Sequence, residues 1–271
     1  MTPDAAAAAA ERTEAAAALI EQAQHSDFVE LVTVSALELC VLGAPKHPLF
    51  EESVAHAWLQ LGNRRRKKVI EWVTEGMVKR GLLIEDSAGF SPVNKGATYS
   101  LKPALGIALA ARCRPAFIII TETAAASLRT PRFFALGDQD HPVRGVVVEE
   151  PAALPADMAG DFPHVKKLGP LGRFYRYVLV SQDNAAEALA ELAISPLPQP
   201  PSADETPGWT VSFYRHYDGR NPVGFQLTVH GDGTKAHLVS PGSSDNSAGT
   251  AEYDFAGLTA VMLDLINRQT R

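Results

Sequence analysis

Apolar residues recur at helical spacing through the first third of the chain. Within residues 34–42, 54–61 and 69–77, an apolar side chain returns every three or four positions. Pro45 and Pro48 interrupt the pattern after the first segment, and Gly81 is placed to end the third with a left-handed cap. The pattern predicts three short helices.

A strand and a turn are predicted after the third helix. Leu82, Leu83 and Ile84 indicate a short strand, residues 86–89 a turn, and a polar stretch then runs to Ser100. A fourth helix is expected over 103–112. Helices followed by a hairpin are typical of a winged helix, so residues 28–112 are interpreted as a winged-helix-like helical region.

The pattern changes to strands after this region. Apolar runs at 117–120, 132–136, 143–148 and 175–180, followed by a helical segment at 183–192, predict a central α/β region over 113–195. Residues 196–208 contain five prolines among small and acidic residues, which is typical of an extended linker. This linker is the strongest domain boundary that the sequence offers.

The last segment, 209–271, alternates apolar and polar residues over 209–214 and 223–229. Glycines near 219 and 231–233 suit tight turns, so a meander of about three antiparallel strands is expected. An amphipathic helix would close the chain, with Phe255, Leu258, Met262, Leu265 and Ile266 on one side. The expected fold class is α+β: a winged-helix-like region, a central mixed sheet, and an antiparallel meander packed by this helix.

Composition narrows the class of protein. Hydrophobic residues make up 46% of the 271 residues, which excludes a disordered chain, and the net charge of −6 disfavours indiscriminate binding to polyanions. The alanine-rich residues 1–27 lack a basic leader and are expected to be a frayed helix or a solvated tail. Because the longest charge-free apolar stretch is far below ~20 residues, no membrane partner is expected and a cytoplasmic location is predicted.

Two possible metal sites lack the spacing that their metals require. Asp138, Asp140 and Glu149 have part of a calcium-loop spacing, but Val143 stands where that loop needs glycine. Three histidines of the predicted meander suggest zinc, yet strand spacing would hold His216 and His230 roughly 20 Å apart. No cofactor is therefore expected.

Catalytic motifs are also missing from the sequence. Gly231-Asp232-Gly233 joins two predicted strands and opens no helix, so it is a turn rather than a phosphate loop. No serine has a nucleophile-elbow context, and the two cysteines, Cys40 and Cys113, are expected to be reduced thiols. A non-enzymatic protein is predicted, although a triad whose members are distant in sequence stays open.

One charge feature stands out in this acidic chain. The predicted third helix opens with five consecutive cations, Arg64, Arg65, Arg66, Lys67 and Lys68. Cations at a helix N-terminus oppose the helix dipole, at a cost of a few tenths of a kcal/mol each. The run is interpreted either as a solvated face or as a candidate binding site for an anionic partner, which would be phosphate or an acidic protein surface.

Two stretches resemble the EspG family, the cytosolic chaperones of type VII (ESX) secretion. They are residues 34–39, Val-Ser-Ala-Leu-Glu-Leu, and residues 77–83, Met-Val-Lys-Arg-Gly-Leu-Leu, with the basic helix between them. The meander and final helix are similar to the second half of that family. The resemblance implies a non-catalytic chaperone that binds an aggregation-prone export substrate of the PE/PPE type and keeps it soluble.

A second interpretation is a winged-helix transcriptional regulator that binds duplex DNA. Residues 64–80 would be the groove-facing helix and residues 86–100 the wing. Against it, few polar side chains of that helix are left to contact bases, because its predicted apolar stripe takes up Val69, Ile70, Trp72, Val73 and Met77. A homodimer is compatible with both interpretations.

Overall fold

The computed structural model describes residues 3–43, 51–91, 97–123, 130–137, 143–160, 165–195, 208–216, 223–239 and 251–269. Two 3₁₀ segments, Ala156–Met158 and Val165–Gly172, accompany the helices and strands. In chain order these elements are α1 (Pro3–Ala23), β1 (Val29–Ser35), α2 (Ala36–Val41), α3 (Glu52–Leu59), α4 (Asn63–Lys79), β2 (Leu83–Phe90), β3 (Tyr99–Leu101), α5 (Pro103–Cys113), β4 (Ile118–Thr123), β5 (Arg132–Leu136), β6 (Gly145–Ala152), β7 (Phe174–Val180), α6 (Gln182–Ile194), β8 (Trp209–His216), β9 (Val223–Gly231), β10 (Lys235–Val239), β11 (Ala251–Asp254) and α7 (Phe255–Gln269).

The fold class is α+β, as predicted. The chain divides into two compact units, neither of which is continuous in sequence. The first contains Met1–Gln22, Val29–Cys113 and Pro151–Val178, and the second contains Ala23–Phe28, Arg114–Glu150 and Leu179–Arg271. No helix of the described residues is long and apolar enough to cross a membrane.

In the first unit, α2, α3 and α4 are followed by the antiparallel pair β2 and β3, which is the order of elements in a winged helix. The three predicted helices are therefore confirmed. The sequence pattern missed β1, in which Val29, Leu31, Val32 and Val34 are buried. The apolar spacing across residues 34–42 looks helical, but these residues include the end of β1 and the start of α2. Ser35 is the last residue of the strand and caps the helix.

The residues predicted as a turn, 86–89, fall within β2, but the pairing is irregular there, because Glu85 and Phe90 both lie opposite Tyr99 of β3. Aspartate is common in turns, but Asp86 lies within the strand. Its carboxylate accepts a hydrogen bond from the Ser100 hydroxyl and pairs with Arg12 of α1 at 3.2 Å. These partners satisfy the carboxylate without a turn.

The alanine-rich segment is the helix α1 rather than an unstructured tail. Every described side chain between residues 6 and 22 is exposed or half-buried, so the helix contributes little to the core. The Arg12–Asp86 ion pair is a contact between α1 and the β2–β3 hairpin.

The second unit is built on seven neighbouring strands of one β-sheet. Their order is β6-β5-β4-β8-β9-β10-β11, and every neighbouring pair among them is antiparallel. Helices α6 and α7 pack against each other, and Leu258, Met262 and Ile266 of α7 are buried. Both predicted helices are thus present, as are the predicted strands, of which the one at 175–180 is β7 and lies mostly in the first unit. The prediction that Phe255 belongs to the apolar side of α7 is wrong, because its side chain is 44% exposed. A fourth C-terminal strand, β11, was not predicted.

The structure differs from the sequence analysis in how the predicted domains are arranged. Residues 196–207 of the predicted linker lie outside the described residues. Strand β4, which lies earlier in the chain than this segment, pairs along its whole length with β8, the first strand after the segment. Segments on both sides of the proline-rich stretch therefore belong to one sheet.

Candidate functional site

Helix α4 has one buried side and one exposed side. Val73, Thr74 and Met77 are buried, and Val69 and Ile70 are half-buried, as the predicted stripe requires. The opposite side carries the helix's charged residues. This exposed side is the candidate functional site because it carries four of the five cations of the run and an exposed tryptophan, Trp72.

Arg66 has a structural role that the other cations of the run lack. Its guanidinium donates to the backbone carbonyls of Trp58, Leu59 and Leu61 at 3.2, 3.1 and 3.0 Å, and it lies 5.4 Å from the centre of the Trp58 ring. The three carbonyls lie at the C-terminal end of α3 and just beyond it, where the helix no longer supplies a full set of N–H donors; the Trp58 carbonyl also accepts from the Leu61 N–H at 3.2 Å. The expectation that Arg66 is a solvated or partner-binding cation is therefore corrected: it caps α3.

The other four cations are exposed. Lys67 approaches Glu71 of the next turn at 3.9 Å, and both side chains are about half or more exposed, so this pair contributes little. Arg64, Arg65 and Lys68 form no ion pair with the described residues. The structure therefore leaves three of the five predicted candidate residues available to an anionic partner.

The outward residues Arg65, Lys68, Trp72, Glu75 and Lys79 succeed one another at spacings of three and four, and all five are exposed. We call this row the outer stripe of α4. Trp72 is 39% exposed although it was grouped with the apolar core side of the helix. A large aromatic side chain in the middle of a charged stripe is typical of a protein-binding surface.

A pocket of about 190 Å³ opens beside Trp72. Its wall includes Glu38 of α2 and Arg80, which form an ion pair; the side chains are 1% and 16% exposed. The other described residues of the lining belong to α4: Trp72, Val73, Glu75, Gly76 and Lys79.

Gly76 is an unusual residue for this position. Glycine in a helix interior costs about 1 kcal/mol relative to alanine. Neither common reason for a glycine applies, because the φ of Gly76 is not positive and a Cβ built there meets nothing within 4 Å. The space in front of Gly76 belongs to the pocket.

The rejected metal sites are not assembled in the described residues. Asp138 and Asp140 lie outside them, and Glu149 is buried and bonded to Arg132 at 2.6 Å. His237 lies directly opposite His230, but His216 pairs with Val223, seven residues before His230, which is roughly 23 Å along the strand. Within the described part of the chain, no group of three His, Cys, Asp or Glu side chains is placed to hold a metal ion.

Sequence reasoning found the cation run but missed the pocket. Trp72 and Gly76 carried no recognisable signal, since one was counted as core and the other as an ordinary helix residue. Glu38 and Arg80 are 42 residues apart, and their contact cannot be deduced from spacing. Comparison with known proteins gives no match to a family model, a curated protein or a solved structure.

Proposed function

We propose that this protein is a non-catalytic, cytoplasmic chaperone that binds an export substrate of the PE/PPE type and keeps it soluble for type VII secretion. The single observation that carries the proposal is the outer stripe of α4. It presents an exposed tryptophan beside a pocket at the position where a winged-helix regulator needs polar, base-reading side chains.

Charge along α4 favours a protein partner over DNA. Glu71 and Glu75 are exposed in the central part of the helix, where a groove-bound helix would face the phosphate backbone. Carboxylates there repel phosphate, and of the helix's cations only Lys79 lies beyond the first turns. A protein surface can match both signs of charge along one helix.

The EspG resemblance supports the same conclusion. The two stretches that carry it, residues 34–39 and 77–83, contribute Glu38 and Arg80 to one ion pair. In this chain, the two stretches therefore meet in one contact next to the pocket.

Co-expression with a PE/PPE-like pair tests the proposal. The pair alone should aggregate, and co-expression should yield a soluble complex in which the chaperone and the pair co-elute on size-exclusion chromatography. Recovery of the pair in the insoluble fraction at the same level with and without the chaperone would reject the function.

A second candidate function, duplex DNA binding, is favoured by one observation. The order α2-α3-α4-β2-β3 is that of a winged helix, and Arg64, Arg65 and Lys68 are exposed on its third helix. Because winged-helix shapes also bind proteins, the order of elements does not decide between the two functions.

A further inference from the structure

We infer that the outer stripe of α4 docks an amphipathic helix of the export substrate. An apolar side chain of that helix would enter the pocket beside Trp72, and acidic side chains would face Arg64, Arg65 and Lys68. This inference rests on the proposed function, and it adds the place of binding and the chemistry of the partner.

Gly76 is the first argument for an occupied pocket. The described residues give no steric or conformational reason for glycine there, because none of them occupies the space in front of it. A side chain at residue 76 would project into the pocket that Trp72 and Glu75 also line. A glycine at this position is explained if a partner's side chain uses the space.

The second argument is the character of the pocket. Trp72 and Val73 supply apolar surface, and the Glu38–Arg80 pair in the wall neutralises its own charges. Such a pocket suits one apolar anchor, since hot spots of interfaces are aromatic or aliphatic side chains in desolvated pockets. Glu75 and Lys79 also line the pocket, but they are exposed and opposite in charge, so the lining as a whole carries no net charge.

Charge complementarity defines the rest of the partner. Arg64, Arg65 and Lys68 have no ionic partner among the described residues, and they stand at the positive end of the α4 dipole. Lys68 lies one helical turn before Trp72, or roughly 6 Å along the helix. Arg65 lies about two turns before Trp72, or roughly 11 Å. The matching helix therefore carries acidic residues about four and seven positions from its apolar anchor.

The pocket is tested with two substitutions at one residue. Gly76→Phe fills the pocket from the exposed side of α4, and Gly76→Ala is its matched control. We expect Gly76→Phe to weaken binding to a PE/PPE-like pair by about 30-fold or more, because the anchor is excluded. Gly76→Ala should bind within about twofold of the wild type, and Trp72→Ala should reproduce the loss without adding bulk.

The cations are tested by charge reversal. We expect the double variant Arg65→Glu, Lys68→Glu to slow association with the pair by about tenfold, with a smaller change in dissociation. Arg114 and Arg144 are exposed cations of the second unit, so Arg114→Glu with Arg144→Glu is the matched control and should bind as the wild type does. Circular dichroism on every variant separates a lost contact from a lost fold.

Two failures are distinguishable. If the wild-type protein forms no complex with the pair, the proposed function fails. If it forms the complex but Gly76→Phe and Trp72→Ala, both folded, bind as tightly as Gly76→Ala, the function stands and the docking site is wrong. Binding of wild-type protein to duplex DNA that the Arg65→Glu, Lys68→Glu variant abolishes, with no binding to the pair, would also overturn the inference.

Discussion

Glu38 and Arg80 form an ion pair that joins α2 to the end of α4, and the Glu38 side chain is only 1% exposed. The same carboxylate accepts hydrogen bonds from the backbone N–H and the hydroxyl of Ser35, at 2.7 and 2.9 Å, in the capping box that begins α2. Arg80 also donates to the sulfur of Met158 at 3.1 Å. One carboxylate thus starts a helix and holds a second helix beside the pocket.

Removing the charge of Glu38 should be strongly destabilising. Glu38→Gln retains an amide for the capping box but leaves the half-buried guanidinium of Arg80 without its carboxylate. We expect a loss of about 3 kcal/mol in the free energy of unfolding, measured by urea denaturation. Lys67→Gln, which breaks the exposed Lys67–Glu71 pair, is the control and should cost less than about 0.5 kcal/mol. Equal losses in the two variants would show that the Glu38–Arg80 pair is solvated.

Arg66 and Arg65 should differ in how much each contributes to the stability of the protein. Arg66→Gln removes three hydrogen bonds to the end of α3 and the contact with Trp58, so we expect a loss of about 2 kcal/mol. Arg65→Gln removes no contact with the described residues and should lie within about 0.5 kcal/mol of the wild type. Thermal denaturation of the two variants under identical conditions makes the comparison. A neutral Arg66→Gln would mean that water replaces the cap.

The run illustrates what the sequence could predict. The sequence alone does not distinguish the five adjacent cations from one another. Only the position of the carbonyls at the end of α3 distinguishes Arg66 from Arg65. The buried stripe of α4 was predictable because helical periodicity determines which side faces the core. Trp72 was misplaced because hydrophobicity alone assigns a tryptophan to the core, whereas a binding surface needs it exposed.

Features that depend on residues far apart in the sequence were harder to predict. Strands β4 to β10 were predicted from alternation and apolar runs, since these patterns depend on neighbouring residues. The pairing of β4 with β8 spans the proline-rich segment, and composition suggested a boundary there. Likewise, β1 was hidden because one apolar row continued from the strand into α2 at Ser35.

Deletion of residues 1–22 should change stability little. The described side chains of this segment from residue 6 onward bury little area, and the Arg12–Asp86 pair is partly exposed. We expect a change of less than about 1 kcal/mol, and Arg12→Gln alone should account for most of it. Melting curves of both proteins check this. A loss of about 2 kcal/mol or more on deletion would mean that α1 packs on the core.

The Cys40 thiol should make stability depend on alkaline pH. Burial raises the pKa of Cys40 from 9.0 to about 12, against the opposing charge of Arg112. Above about pH 9, the unfolded chain loses this proton while the folded chain keeps it, so stability falls as the pH rises toward 12. Between pH 8 and pH 10, Cys40→Ala should lose about 1 kcal/mol less than the wild type in urea denaturation. Identical losses would show that Cys40 ionises in the folded state.

The salt dependence of binding tests the central claim, that α4 binds a protein and not DNA, most directly. Wild-type protein is titrated with a PE/PPE-like pair and with duplex DNA, from about 0.05 to 0.5 M salt. The account predicts a saturable complex with the pair that persists at the high end, because an apolar anchor is not screened. It predicts no saturable DNA complex. A DNA complex whose log affinity falls with log salt at a slope near −3, as neutralisation of phosphates by Arg64, Arg65 and Lys68 requires, and no complex with the pair, would contradict the account.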